Sequence, residues 1–148
     1  MRTVFDRAVQ SGSRTVEFFG TALTLPPEAR FASVQAVQHY VDDVLALPAV
    51  RAGWPNPAAL TVRARRGVSA AHYENCDGAG VIAVPERHGG HWALRELVVL
   101  HEIAHHLCDA RPPHGPEFVA TFRALAEVVM GPEVGYVLQV VFAQEGVR

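Results

Sequence analysis

The chain has 148 residues, of which 49 % are hydrophobic and 19 % charged, and its formal net charge is −2. That balance suits one globular domain spanning 1–148 and excludes disordered and fibrous classes. The charge excludes a strong built-in attraction to nucleic acid or to an anionic membrane surface.

The opening MRTVFDRAVQSGSR lacks the apolar stretch of a signal peptide, and no uncharged run reaches the roughly 18 residues of a membrane span. A cytoplasmic protein is expected. Residues 16–25, VEFFGTALTL, read as extended: two short apolar runs broken at Gly20 and closed by Pro26 and Pro27. From Glu28 to Leu47, Phe31, Val34, Val37, Val41, Val44 and Leu45 fall near helical spacing until Pro48 stops the run. AVRAGWPNPAA, 49–59, is turn-rich. Three short strands are then predicted, Leu60–Arg65, Ala70–Glu74 and Gly80–Pro85, with Asp77-Gly78 turning between the last two. Arg63, Arg65 and Arg66 fit a solvated strand face.

From Trp92 to about Ala110 the pattern is helical and apolar on most sides, as in a buried helix, and Pro112-Pro113 exclude its continuation. Pro116 opens another helix with Phe118, Phe122, Leu125 and Val129 on one stripe. Gly131-Pro132 breaks it, and the apolar tail is read as a further helix. The layout is α+β.

HEIAH, 101–105, carries the chemistry. Residues at i and i+4 share a helix face with Cβ atoms about 5–6 Å apart, so His101 and His105 can converge on one ion. Glu102 lies about 100° round the helix, placed to hold a metal-bound water and take its proton. Accident produces this pattern in roughly 0.03 of chains of such composition. Eight residues separate His105 from His114, which lies beyond the helix end and the Pro-Pro segment and is the candidate third ligand. Three imidazoles leave a fourth position for water, as catalytic zinc sites do, and one Zn²⁺ per chain is expected. A closed structural site with Cys108, Asp109 or Glu117 as fourth ligand would have no need of Glu102. The chain's two cysteines, Cys76 and Cys108, form neither a disulfide framework nor a four-cysteine zinc motif.

HEIAHHLCDARPPHGPEF resembles the HExxH…HGxxF pattern of SprT-like and related minimal zincin metalloproteases over about residues 94–122. FFGTALTLPPEARFASVQAVQHYVDDVLALP, AHYENCDGAGVIAVP, WALRELVVLHEIAHHL and HGPEFVATF extend a resemblance to a family of small bacterial metallohydrolases of unassigned substrate. The zincin resemblance implies a minimal zincin-like fold, with a small mixed or antiparallel sheet whose edge strand runs over the buried HExxH helix. GVIAVP, 80–85, stands where that strand is expected, and a peptide or protein substrate would pair with it. The downstream four-cysteine module and basic tail of SprT-like proteases are missing, so their role on DNA-crosslinked proteins does not transfer.

Other residues fill in the picture. His88 and His91 are read as polar loop residues, His106 as a surface or supporting side chain, and Asp109 as a partner for the His105 ring. Tyr73 and Tyr136 are candidate oxyanion stabilisers, since zincins often use a tyrosine there. Met130 is read as core. The expected function is a zinc metallopeptidase with Glu102 as general base. Two other classes remain open: a metal-dependent ribonuclease, and a non-enzymatic zincin-fold binding or sensor domain.

Overall fold

The structure, a computed structural model, describes residues 15–18, 21–24, 28–65, 71–85 and 94–144. The elements run β1 (Thr15–Phe18), β2 (Thr21–Thr24), β3 (Arg30–Phe31), α1 (Val34–Ala46), α2 (Pro48–Gly53), β4 (Leu60–Arg65), β5 (His72–Cys76), β6 (Ala79–Pro85), β7 (Leu94–Arg95), α3 (Glu96–Leu107), α4 (Pro116–Met130) and α5 (Pro132–Gln144). The class is α+β, as expected. Among the described residues no helix is long and apolar enough to cross a membrane.

Several boundaries differ from expectation for physical reasons. Helix α1 starts at Val34 rather than Glu28, because the Ser33 hydroxyl accepts the Ala36 N–H at 3.1 Å and caps it. The residues before it are drawn into β3, which pairs antiparallel with β7. The same pairing holds Leu94 and Arg95 in β7, so α3 begins at Glu96. Pro48 ends α1 but also opens α2, inside the stretch read as turn. The two extended runs of 16–25 do form a hairpin, β1 against β2.

The start of α3 is fastened by polar groups from far away in sequence. Glu28 accepts the Leu97 N–H at 3.0 Å through one carboxylate oxygen and the Arg95 guanidinium through the other. Ala29 donates its N–H to Glu96 and accepts the Glu96 N–H through its carbonyl. Tyr40 of α1 donates its hydroxyl to the same Glu96 carboxylate. Burial, and then that carboxylate, raise the Tyr40 phenol far above its ordinary range, so it stays a donor.

The central sheet has the order β4-β6-β5, with β4 parallel and β5 antiparallel to β6. Asp77 and Gly78 both take positive φ, 52° and 85°, as a two-residue hairpin loop requires. This sets Cys76 opposite Ala79, and β5 therefore lies two residues later than predicted. One expectation is overturned. GVIAVP is not an edge strand: Gly80–Pro85 pairs with β4 along its length, and Gly80–Ala83 pairs also with Asn75–His72 of β5. Its composition explains this. Ile82, Ala83 and Val84 are fully buried, and a strand without a polar face is sheltered on both sides. The polar strand β5 takes the edge beside α3.

The core lies between this sheet and the helices. It joins Val37, Val41 and Val44 of α1, Leu60 and Ile82 of the sheet, Leu100 and Ile103 of α3, Phe118 and Phe122 of α4, and Val137 and Leu138 of α5. Met130 belongs to it, as expected. Gly131, at φ 109°, turns the chain from α4 into α5 where a side chain would be strained.

Candidate metal centre

Helix α3 is buried on most sides: Leu97, Val99, Leu100, Ile103 and Ala104 are all less than 5 % exposed. His101 and His105 lie on the stripe that instead faces a cavity of about 590 Å³. The helix ends at Leu107, and residues 108–115 turn back across it. Gly115 donates its N–H to the Pro112 carbonyl at 2.9 Å, closing that turn, and Pro116 opens α4. His114 is carried back to the helix by this turn.

The three imidazoles form a nearly equilateral group. Ring centroids are 4.8 Å apart for His101–His105, 5.3 Å for His101–His114 and 4.8 Å for His105–His114. One nitrogen from each lies within 4.8 Å of the others. Nε2 of His105 and of His114 are 3.1 Å apart. Two nitrogens at about 2.0–2.1 Å from a tetrahedral zinc would stand about 3.3 Å apart, close to the His105–His114 separation. Among the described residues this group includes no cysteine, aspartate or glutamate, so Cys108, Asp109 and Glu117 do not complete a closed four-ligand set. Glu117 is exposed in the first turn of α4, where its charge suits the helix dipole.

The electrostatics favour a neutral imidazole at His105. Burial first, and then the neighbouring His101, lower the His105 pKa to about 4, while Glu102 pulls the other way. A metal therefore has no proton to displace from His105 at neutral pH. Glu102 lines the cavity and is only 6 % exposed. Its Oε2 accepts the Nδ1–H of His101 at 3.0 Å, which leaves His101 Nε2 for a metal and makes Glu102 both neighbour and orienter of that ligand.

Of the other residues singled out in the sequence, Tyr73 borders the cavity with its ring 6.4 Å from that of His105. Its hydroxyl, however, is engaged by His106. The Ala58 carbonyl can only accept, so the His106 Nε2 at 2.7 Å carries the proton, and Nδ1 is left to accept from the Tyr73 hydroxyl at 2.8 Å. Burial raises the Tyr73 phenol pKa, so the hydroxyl keeps its proton and commits it to this bond. Tyr136 is exposed on α5 and does not line the cavity. Asp109 is exposed and makes no hydrogen bond to His105. His88, His91 and Arg66 lie outside the described residues. Arg63 pairs with Glu74 at 2.6 Å and Arg65 with His72, on the solvated strand face expected for them.

The role of His106 was not visible beforehand. It is wedged against Gly80, where a Cβ would overlap its Nδ1 and stand 2.7 Å from its Cε1. Nothing in a single histidine next to HEIAH announces a partner glycine on another strand.

No known protein family matches the chain, and no curated protein or solved structure is significantly similar to it.

Proposed function

We propose that the chain is a zinc-dependent metallopeptidase of minimal zincin type, with His101, His105 and His114 as ligands and Glu102 as general base. The observation that carries this reading is the convergence of three imidazoles within 4.8 Å beside a buried glutamate on the same helix. The HEIAH…HGPEF resemblance to SprT-like proteases and small bacterial metallohydrolases supports it, as does the choice of three nitrogen donors, which suits zinc.

A bound divalent ion supplies a Lewis acid that polarises a carbonyl and eases deprotonation of water. The chain's own residues do the rest. Glu102 has Oε2 tied to His101, which fixes the carboxylate's orientation, while Oε1 makes no hydrogen bond among the described residues and can take the proton of the attacking water. Glu102 then returns that proton to the leaving amine. An extended peptide would add to the outer edge of β5, where Tyr73 and Asn75 border the cavity, rather than to 80–85.

The test joins metal analysis of the purified protein with an unbiased peptide-library digest. One zinc per chain and peptide cleavage are expected, and Glu102→Gln should keep the zinc while losing turnover by about 10²–10⁴-fold. A Glu102→Gln variant as active as wild type overturns the mechanism. Zinc without peptide cleavage overturns the peptidase reading in favour of a binding module, and EDTA-sensitive RNA cleavage would favour a nuclease.

A further inference from the structure

A histidine that binds a metal is ordinarily aimed by a hydrogen bond from its second ring nitrogen. Among the described residues only His101 has one in this site, to Glu102. For His105 and His114 the sole protein hydrogen-bond partner among the described residues is the other's Nε2, the atom a metal would take. His114 is exposed on a loop, and Asp109 does not reach His105. Some other contact must aim these two rings.

That contact is Phe118, which is 2 % exposed and lies against all three imidazoles. Its ring stacks on His105 at 4.2 Å with an interplanar angle of 21°. His101 and His114 meet it edge to face, at 5.0 Å and 72° and at 5.2 Å and 82°. Stacked and edge-to-face arrangements are the favoured aromatic geometries, so one phenyl ring sets the plane of one imidazole and the tilt of two others. Phe118 can do this because it lies four residues after His114, in the first turn of a helix packed on α3.

We propose that Phe118 is the positioning residue of the metal site, holding His105 and His114 in ligand orientation by ring contact where other sites use hydrogen bonds. The proposal rests on the triad binding a metal but not on any reaction that follows.

The experiment compares zinc affinity by chelator competition, and the visible spectrum of the cobalt form, for wild type, Phe118→Leu and Leu125→Ala. Leu125 is fully buried on the same helix and has no ring to offer, so its truncation controls for general loosening. Phe118→Leu should bind zinc about 10–100-fold more weakly, the loss usual when a ligand's orienting partner is removed, and should alter the cobalt bands. Leu125→Ala should lower thermal stability yet leave affinity within about twofold of wild type. Phe118→Tyr, which keeps the ring, should restore most of the affinity. The proposal is overturned by Phe118→Leu binding within about twofold of wild type, or by an equal loss in Leu125→Ala. A wild type that binds no metal overturns the proposed function as well, so the two failures are distinct.

Discussion

Replacing Gly80 by alanine tests how the sheet holds the ligand-bearing helix. The new Cβ would overlap Nδ1 of His106 and stand 2.7 Å from its Cε1 and 2.8 Å from the Tyr73 hydroxyl. His106 must swing away, and with it go the hydrogen bonds from Tyr73 and to the Ala58 carbonyl. Two bonds at about 1 kcal/mol each, partly recovered by water, add to an overpacking cost of about 1–3 kcal/mol. A loss of about 2–4 kcal/mol follows, or roughly 6–12 °C in Tm for a chain of this size. The assay is denaturant unfolding of wild type, Gly80→Ala, His106→Ala and the double variant. His106→Ala alone should cost about 1–2 kcal/mol, and the double variant no more, because the clash has lost its partner. Strict additivity of the two single changes, or a Gly80→Ala protein within about 0.5 kcal/mol of wild type, would refute the wedged arrangement.

Two further outcomes follow from the geometry. His105 has its pKa lowered to about 4 in the folded chain and regains an ordinary value when unfolded. The unfolded state therefore binds the extra proton between pH 6.5 and 4, and the metal-free protein should lose stability as pH falls through that window. With the exposed half of the side chain discounted for solvent screening, the loss is about 1–2 kcal/mol, and His105→Gln should flatten the slope in unfolding curves taken at several pH values; an unchanged slope would contradict the burial assigned to this ring. At the other end of α3, Glu28→Ala removes both the acceptor for the Leu97 N–H and the partner of Arg95. It should cost about 2 kcal/mol, with Glu28→Gln retaining roughly half of that through the neutral acceptor, read from the denaturant midpoint.

The parts of this molecule that could be read from sequence are those whose partners lie close along the chain. HEIAH and the HG pair span 101–115, so helix periodicity and a proline-forced turn suffice to bring three imidazoles together. The Asp77-Gly78 hairpin is likewise local, since its two positive φ angles are written into the residue types. Strand order is not local. GVIAVP lies between β5 and the helix in sequence, yet in space β6 is inserted between β4 and β5, and only its unbroken apolar composition hinted at a central place. Glu28 read as the first turn of a helix because its role depends on Leu97, 69 residues away.

The same division separates the ligands from what supports them. His101, His105 and His114 are recognisable by spacing because a metal needs converging donors, whatever surrounds them. The way their supports act is harder to read from spacing. Phe118 closes the HGxxF pattern, yet on an apolar stripe with Phe122 and Leu125 it reads as core, and only its ring contacts give it a task at the ligands. His106 looks like an accident of composition until Gly80 supplies the space it fills. Tyr73 illustrates the consequence for chemistry. As a residue type it suits an oxyanion donor, but its proton already serves His106, so its availability is decided by the Ala58 carbonyl that sets the tautomer of that ring. Ligand identity and the nearest orienting groups, Glu102 and Phe118, thus belong to one short segment, whereas the contacts that seat His106 against the sheet come from β5, β6 and the loop before β4, where no local motif announces them.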